Sequence, residues 1–239
     1  MAHAEERTRH FDEFADVLLR CHHVYRPNMD SIALLNAVES RRQIEVFDYV
    51  RSADAFTRAF GMRNSLKCLR ALANLGSRIH SYRRVCDLGC GSGAFSLAFA
   101  YLADNPNLEL HGLDASEIQL SLGEQLMSAA DLPGRVEFER RNLPAQIGYR
   151  PDLTISSYWF CENEHVILDP VLFDLTVGRE MLIVDYEKII DRVASCLPQG
   201  FRILARHSSS VDIPAALTEF VAQERASVHS IHIGRTENW

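Results

Sequence analysis

The sequence predicts a doubly wound α/β sheet preceded by a helical N-terminal extension. Three observations carry that expectation. Val85-Cys86-Asp87-Leu88 is a short apolar run, glycines follow at 89, 91 and 93, and residues 94–102 then read as an apolar helix. Strand, glycine turn and helix in that order bring a backbone close to a nucleotide. Beyond residue 84, apolar runs of strand length alternate with segments of helical periodicity. Residues 1–80 contain only Pro27, Gly61 and Gly76 as breakers and read as helical. The chain therefore divides into an extension or lid, 1–80, and a sheet-bearing core, 81–239.

In the extension, Phe11, Phe14, Val17, Leu18 and Cys21 fall on one helical face. Arg26-Pro27-Asn28-Met29-Asp30 breaks the pattern, and Asp30 or Ser31 is placed to cap a second helix from Ile32. Phe47, Val50, Ala53, Phe56 and Phe60 continue the apolar spacing, and Gly61 marks another break. A third amphipathic segment, 65–79, carries Leu66, Leu69, Leu72 and Leu75.

In the core, Gly89 and Gly91 leave no Cβ in the way of a ligand, and Gly93 allows close helix-to-strand packing. Residues 108–114 form a second strand ending in Asp114, whose carboxylate can accept both hydroxyls of a ribose. A helix runs from Ser116 to about Ala130, and 135–139 is the third strand. Residues 151–158 form the fourth, and the run Tyr158-Trp159-Phe160-Cys161-Glu162-Asn163-Glu164-His165 leaves its carboxyl end, where substrate groups gather in open α/β sheets. Helices are expected at 171–173 and 181–196, a fifth strand at 200–207 after Pro198-Gln199-Gly200, a helix at 213–224 and one more strand at 227–233. The far edge then looks short, to be covered by the N-terminal helices or by a second subunit in a homodimer.

Composition narrows the class. The chain has 239 residues, 47% of them hydrophobic, enough for one core plus an extension. Lys and Arg number 25 against 32 Asp and Glu, a net charge of −7 that argues against a dominant nucleic-acid footprint. No apolar run approaches the roughly 20 residues of a membrane span, and the charged N-terminus does not read as a secretory leader. The six cysteines are scattered, as expected of reduced thiols in a cytoplasmic protein. Cys86 and Cys90 lack a second ligand pair and no histidine pair has a diagnostic spacing, so no metal site is expected.

The segment Asp87-Leu88-Gly89-Cys90-Gly91-Ser92-Gly93 resembles motif I of the class I S-adenosylmethionine-dependent methyltransferases, which have a Rossmann-like fold. The resemblance extends to the acidic end of the second strand. It implies S-adenosyl-L-methionine as cofactor and S-adenosyl-L-homocysteine as product. It implies cofactor contacts at Asp87, Gly89, Gly91, Gly93, Asp114, Ala115, Asn142, Leu143 and Ser156, with Asn142 on the adenine amino group. It also implies that the extension folds over the cofactor and builds the substrate chamber; a dimerisation surface is the alternative. Enzymes that methylate exocyclic amines of bases carry a polar residue, two prolines and an aromatic after the fourth strand. Here Ser157, Tyr158-Trp159 and Phe160 stand at those positions, so the run looks more like small-molecule enzymes.

A sulfonium is already a strong methyl donor, so alignment and exclusion of water are the main demands. A base is needed only for a protonated acceptor. Glu162, His165 and His207 are the candidate catalytic residues. The leading expectation is methyl transfer to N or O of a small-molecule acceptor, in specialised metabolism. Methylation of ribosomal or transfer RNA, a non-catalytic binding subunit, and a reaction other than methyl transfer are the alternatives.

Overall fold

The computed structural model describes residues 2–39, 52–144, 150–221 and 223–236; Phe47 and Val50 lie outside them. Helices α1 (Ala2–Arg20), α2 (His22–Tyr25), α3 (Met29–Glu39) and α4 (Ala53–Leu72) lead, and a 3-10 segment, Ala73–Ser81, joins α4 to the sheet. The strands are β1 (Arg84–Leu88), β2 (Glu109–Asp114), β3 (Arg135–Arg140), β4 (Leu153–Ser157), β5 (Glu180–Asp185), β6 (Phe201–Asp212) and β7 (Arg225–Arg235). Between them lie α5 (Ala94–Ala103), α6 (Glu117–Ala130), α7 (Glu164–Leu168), α8 (Pro170–Thr176) and α9 (Glu187–Cys196).

The sheet order is β3-β2-β1-β4-β5-β7-β6. Neighbours from β3 to β5 pair in parallel, and β7 runs antiparallel to both β5 and β6. Strand order reverses between β1 and β4, which opens a crevice at their carboxyl ends.

Each face of the sheet has its own apolar core. One contains Phe14, Leu18 and Tyr25 of the extension, Leu66 and Leu69 of α4, and Phe95 and Phe99 of α5. The other contains Val166 of α7, Phe173 of α8 and Ile189 and Ile190 of α9. Fully burying side chains of this size contributes about 1.5–3 kcal/mol each, so α1 and α4 are held by the same cluster as the sheet.

Four expectations are corrected. Residues 181–185 are strand β5, and the helix begins at Glu187. Leu182 and Val184 face one core while Met181 and Ile183 face the other; a strand buried on both sides reads as a continuous apolar run and loses its two-residue period. Residues 213–224 hold one 3-10 turn, Ala215–Leu217, in place of a helix. With β5 counted, both closing strands are present, so the far edge is a full antiparallel pair. Gly61 breaks nothing: it lies inside α4, where a Cβ would meet Tyr25 Cε1 at 2.5 Å.

The start of α3 also differs. Asn28 caps it, its Oδ1 accepting from Ser31 N at 2.9 Å while Asn28 N donates to Ser31 Oγ at 2.8 Å. That reciprocal pair satisfies two amides at once.

Candidate active site

β1 ends at Leu88, and the chain turns through Gly89 and Gly91 with φ of 64° and 54°, a region that favours glycine. A Cβ on Gly89 would meet Trp159 Cδ1 at 2.2 Å, so the indole lies directly on the loop. A Cβ on Gly91 would meet nothing nearer than Gln119 Oε1, at 3.4 Å. The loop is tied to β2 at two points. Cys90 N donates to Leu113 O at 3.1 Å, and Gly91 N donates to Asp114 Oδ2 at 2.9 Å. Asp114 Oδ1 accepts from Ser116 N at 2.9 Å, and Ser116 Oγ caps α6 by accepting from Gln119 N.

A cavity of about 290 Å³ opens over this loop. Gly89, Gly91, Asp114, Ala115 and Leu143 of the predicted cofactor set line it. Asp87, Gly93, Asn142 and Ser156 do not. Asp87 is fully buried, and its Oδ2 accepts from Ser96 N at 3.0 Å and Ser96 Oγ at 2.7 Å, fixing the first turn of α5. Its Oδ1 is buried and has no hydrogen-bond partner among the described residues. Burial, opposed by the Ser96 hydrogen bonds, pushes this carboxyl up to about 7. Gly93 precedes α5 and packs on Phe138, which a Cβ would meet at 2.9 Å. Ser156 Oγ donates to Leu88 O at 3.0 Å inside the sheet, and Asn142 is exposed.

The extension supplies the opposite wall through Phe56, Thr57, Gly61 and Asn64 of α4. Thr57 Oγ1 donates to Gln119 Oε1 at 3.2 Å, joining α4 to α6 beside the loop.

A second cavity of about 680 Å³ adjoins the first. Phe56, Asn64, Tyr158 and Glu162 line both, so the two share a wall. Tyr158 has φ of 56°, a left-handed conformation costly for a tyrosine, at the carboxyl end of β4. Its Oη accepts from Lys67 Nζ at 2.9 Å. Burial, aided by the nearby Arg63 guanidinium, lowers Lys67 to about 8. Burial raises the Tyr158 phenol well above its ordinary value, which keeps it protonated. Asp185, at the end of β5, is raised to about 6 by burial despite accepting from Tyr186 N and Cys161 N.

Of the three catalytic candidates, the structure brings Glu162 to both cavities. His165 is exposed on α7, and His207 is exposed on β6, paired with Ser230 within the strand instead of ending one; neither lines either cavity. Lys67 and Asp185 were missed. Lys67 did leave a sequence signal: it is a lone cation between Leu66 and the pair Cys68 and Leu69, all buried.

The comparisons agree with this architecture. Residues 79–234 match a family model described as a methyltransferase domain. No curated protein sequence matches the chain. Among solved structures, magnesium protoporphyrin IX methyltransferase from Synechocystis PCC 6803 with bound SAM is 16% identical at a TM-score of 0.50, over 88% of this chain and 99% of that one. Ribosomal protein L11 methylase from Lactobacillus delbrueckii subsp. bulgaricus is 13% identical at a TM-score of 0.53, over 73% and 80%. The 16S rRNA methylase RmtB is 16% identical at a TM-score of 0.52, over 91% and 80%. At such identities these likenesses show a shared fold. The matched model covers well over half of the chain, which belongs to the methyltransferase-domain family.

Proposed function

We propose that this protein transfers a methyl group from S-adenosyl-L-methionine to a small-molecule acceptor and releases S-adenosyl-L-homocysteine. The observation that carries the reading is the common wall: a cavity over the glycine loop and Asp114 adjoins a larger chamber across Tyr158 and Glu162. The cofactor suits the first cavity because Gly91 leaves the loop open above its main chain and Asp114 stands at the next strand end. When bound, it supplies an electrophilic methyl carbon on a sulfonium. Gly91 and Asp114 hold it; Gly89, packed under Trp159, flanks it with Ala115 and Leu143. Phe56 and Trp159 keep water from the junction. Glu162 orients the acceptor from the shared wall. Helix α4 of the extension, with Leu34 of α3, closes the site, the role expected of residues 1–80.

The test is incubation of the purified protein with methyl-labelled S-adenosylmethionine and separate metabolite, RNA and protein fractions. Label in the metabolite fraction is expected. Label confined to RNA would establish the nucleic-acid alternative, and absence of any S-adenosylhomocysteine binding in calorimetry would leave a non-catalytic subunit.

A further inference from the structure

We infer that the second cavity takes a phenol-type acceptor as its phenolate, paired with the Lys67 ammonium. This rests on the methyl-transfer reading for its purpose, but the binding site stands on its own geometry. Lys67 Nζ points at the chamber from α4 and, among the described residues, makes one hydrogen bond, to Tyr158 Oη, and no ion pair. A half-buried cation held by one neutral oxygen, with the Tyr158 ring centroid 5.0 Å from Nζ, still lacks a counter-charge, which an anion in the cavity supplies. Asp185, which lines the same cavity, is already engaged, since it accepts main-chain hydrogen bonds with both oxygens.

The surroundings select the anion. Phe56 and Phe60, with ring centroids 5.0 Å apart, and Tyr158 and Tyr186, 5.3 Å apart, all line the cavity. Four aromatic rings in one lining suit an aromatic ligand. Of the charged groups around the cavity, Arg63 shares α4 with Lys67 and donates to Gln223. Cys161 and Glu162 approach from the loop after β4, and Glu187 from the start of α9. On β7, His229 shares a hydrogen bond with Ser208, and Arg225 pairs with Asp212. Lys67, lowered to about 8, stays an ammonium below that pH and can pair with the conjugate base of a weak acid. In the step, the phenolic O–H bond breaks and the proton leaves to solvent. The electron pair stays on oxygen, and the resulting phenolate faces the ammonium. Tyr158 Oη, held in its left-handed turn, positions both.

The probe is 4-nitrophenol, whose phenolate has its own visible absorption band. It is added to protein saturated with S-adenosylhomocysteine, one pH unit below the phenol's pKa, where about a tenth of the free probe is ionised. Bound probe is expected to be almost wholly phenolate, a rise of about tenfold. Lys67→Met should abolish the band while leaving S-adenosylhomocysteine affinity unchanged, because Lys67 does not line the first cavity. In the wild type alone, the band should persist as pH falls below the free phenol's pKa, which tests the site without any variant. A band equally strong in Lys67→Met, or none in the wild type, overturns the proposal. So does tighter binding by 4-nitrobenzoate, the carboxylate of the same shape. A lysine-dependent band in protein that ignores S-adenosylhomocysteine would support this site and defeat the methyl-transfer reading, so the two failures are separable.

Discussion

The Asp114 carboxylate accepts a hydrogen bond from the Gly91 amide at 2.9 Å, so the loop after β1 is anchored to the end of β2 by the acid expected to meet a ribose. One side chain thereby sets the loop's shape and offers its remaining lone pairs to a ligand.

Asp114→Ala removes both roles. S-adenosylhomocysteine affinity should fall by about 1–3 kcal/mol, roughly 5- to 150-fold, by isothermal calorimetry. Unchanged affinity would take the carboxylate out of the site.

Gly89→Ala puts a methyl group against Trp159 in a backbone conformation that resists a side chain. Stability to urea should fall by about 1–3 kcal/mol. In a double-mutant cycle, Trp159→Ala should relieve part of that loss by removing the clash. Strict additivity would show that the indole does not press on the loop.

Asp87 supplies a pH signature. Its folded proton affinity is raised from 3.8 to about 7, so its contribution to stability is full below pH 3.8 and is lost as pH rises through about 7. Asp87→Asn keeps an acceptor for Ser96 and removes the charge. Relative to this variant, the wild type should lose stability steadily between those limits. A difference in unfolding free energy that is flat across the interval would refute the assignment.

Glu180 behaves in the opposite sense. Burial alone would raise it, but hydrogen bonds from His232 and Tyr82, with Arg78 at 2.5 Å, bring it down from 4.5 to about 2. Its contribution is present above pH 4.5 and is lost as pH falls toward 2. Glu180→Gln should cost about 1–3 kcal/mol near neutrality, and the gap to wild type should close across the acid interval. Denaturant titrations at several pH values read both.

What the sequence revealed follows from how local the signal was. The glycine turn, Asp114 and the cap at Ser116 lie within 28 residues, 89–116, and their chemistry is written in neighbouring letters. β5 was obscured because Met181, Leu182, Ile183 and Val184 serve two cores at once. Gly61 looked like a break because the Tyr25 ring that demands it comes from another helix. The second cavity was hidden for the same reason on a larger scale. Lys67 and Tyr158 stand 91 positions apart, and only the packing of α4 over the sheet joins them. His165 and His207 drew notice by residue type, yet the fold turns both outward.

β7 lies between β5 and β6 although it follows both in the chain. Until residues 225–235 emerge during synthesis, β6 has nothing to pair with, the β5 edge stays open, and the larger chamber lacks the side built from Arg225, Ser227 and His229. The segment made after all the other strands thus fastens its predecessor in place, and a chain cut short before it would lose two strands for the removal of one.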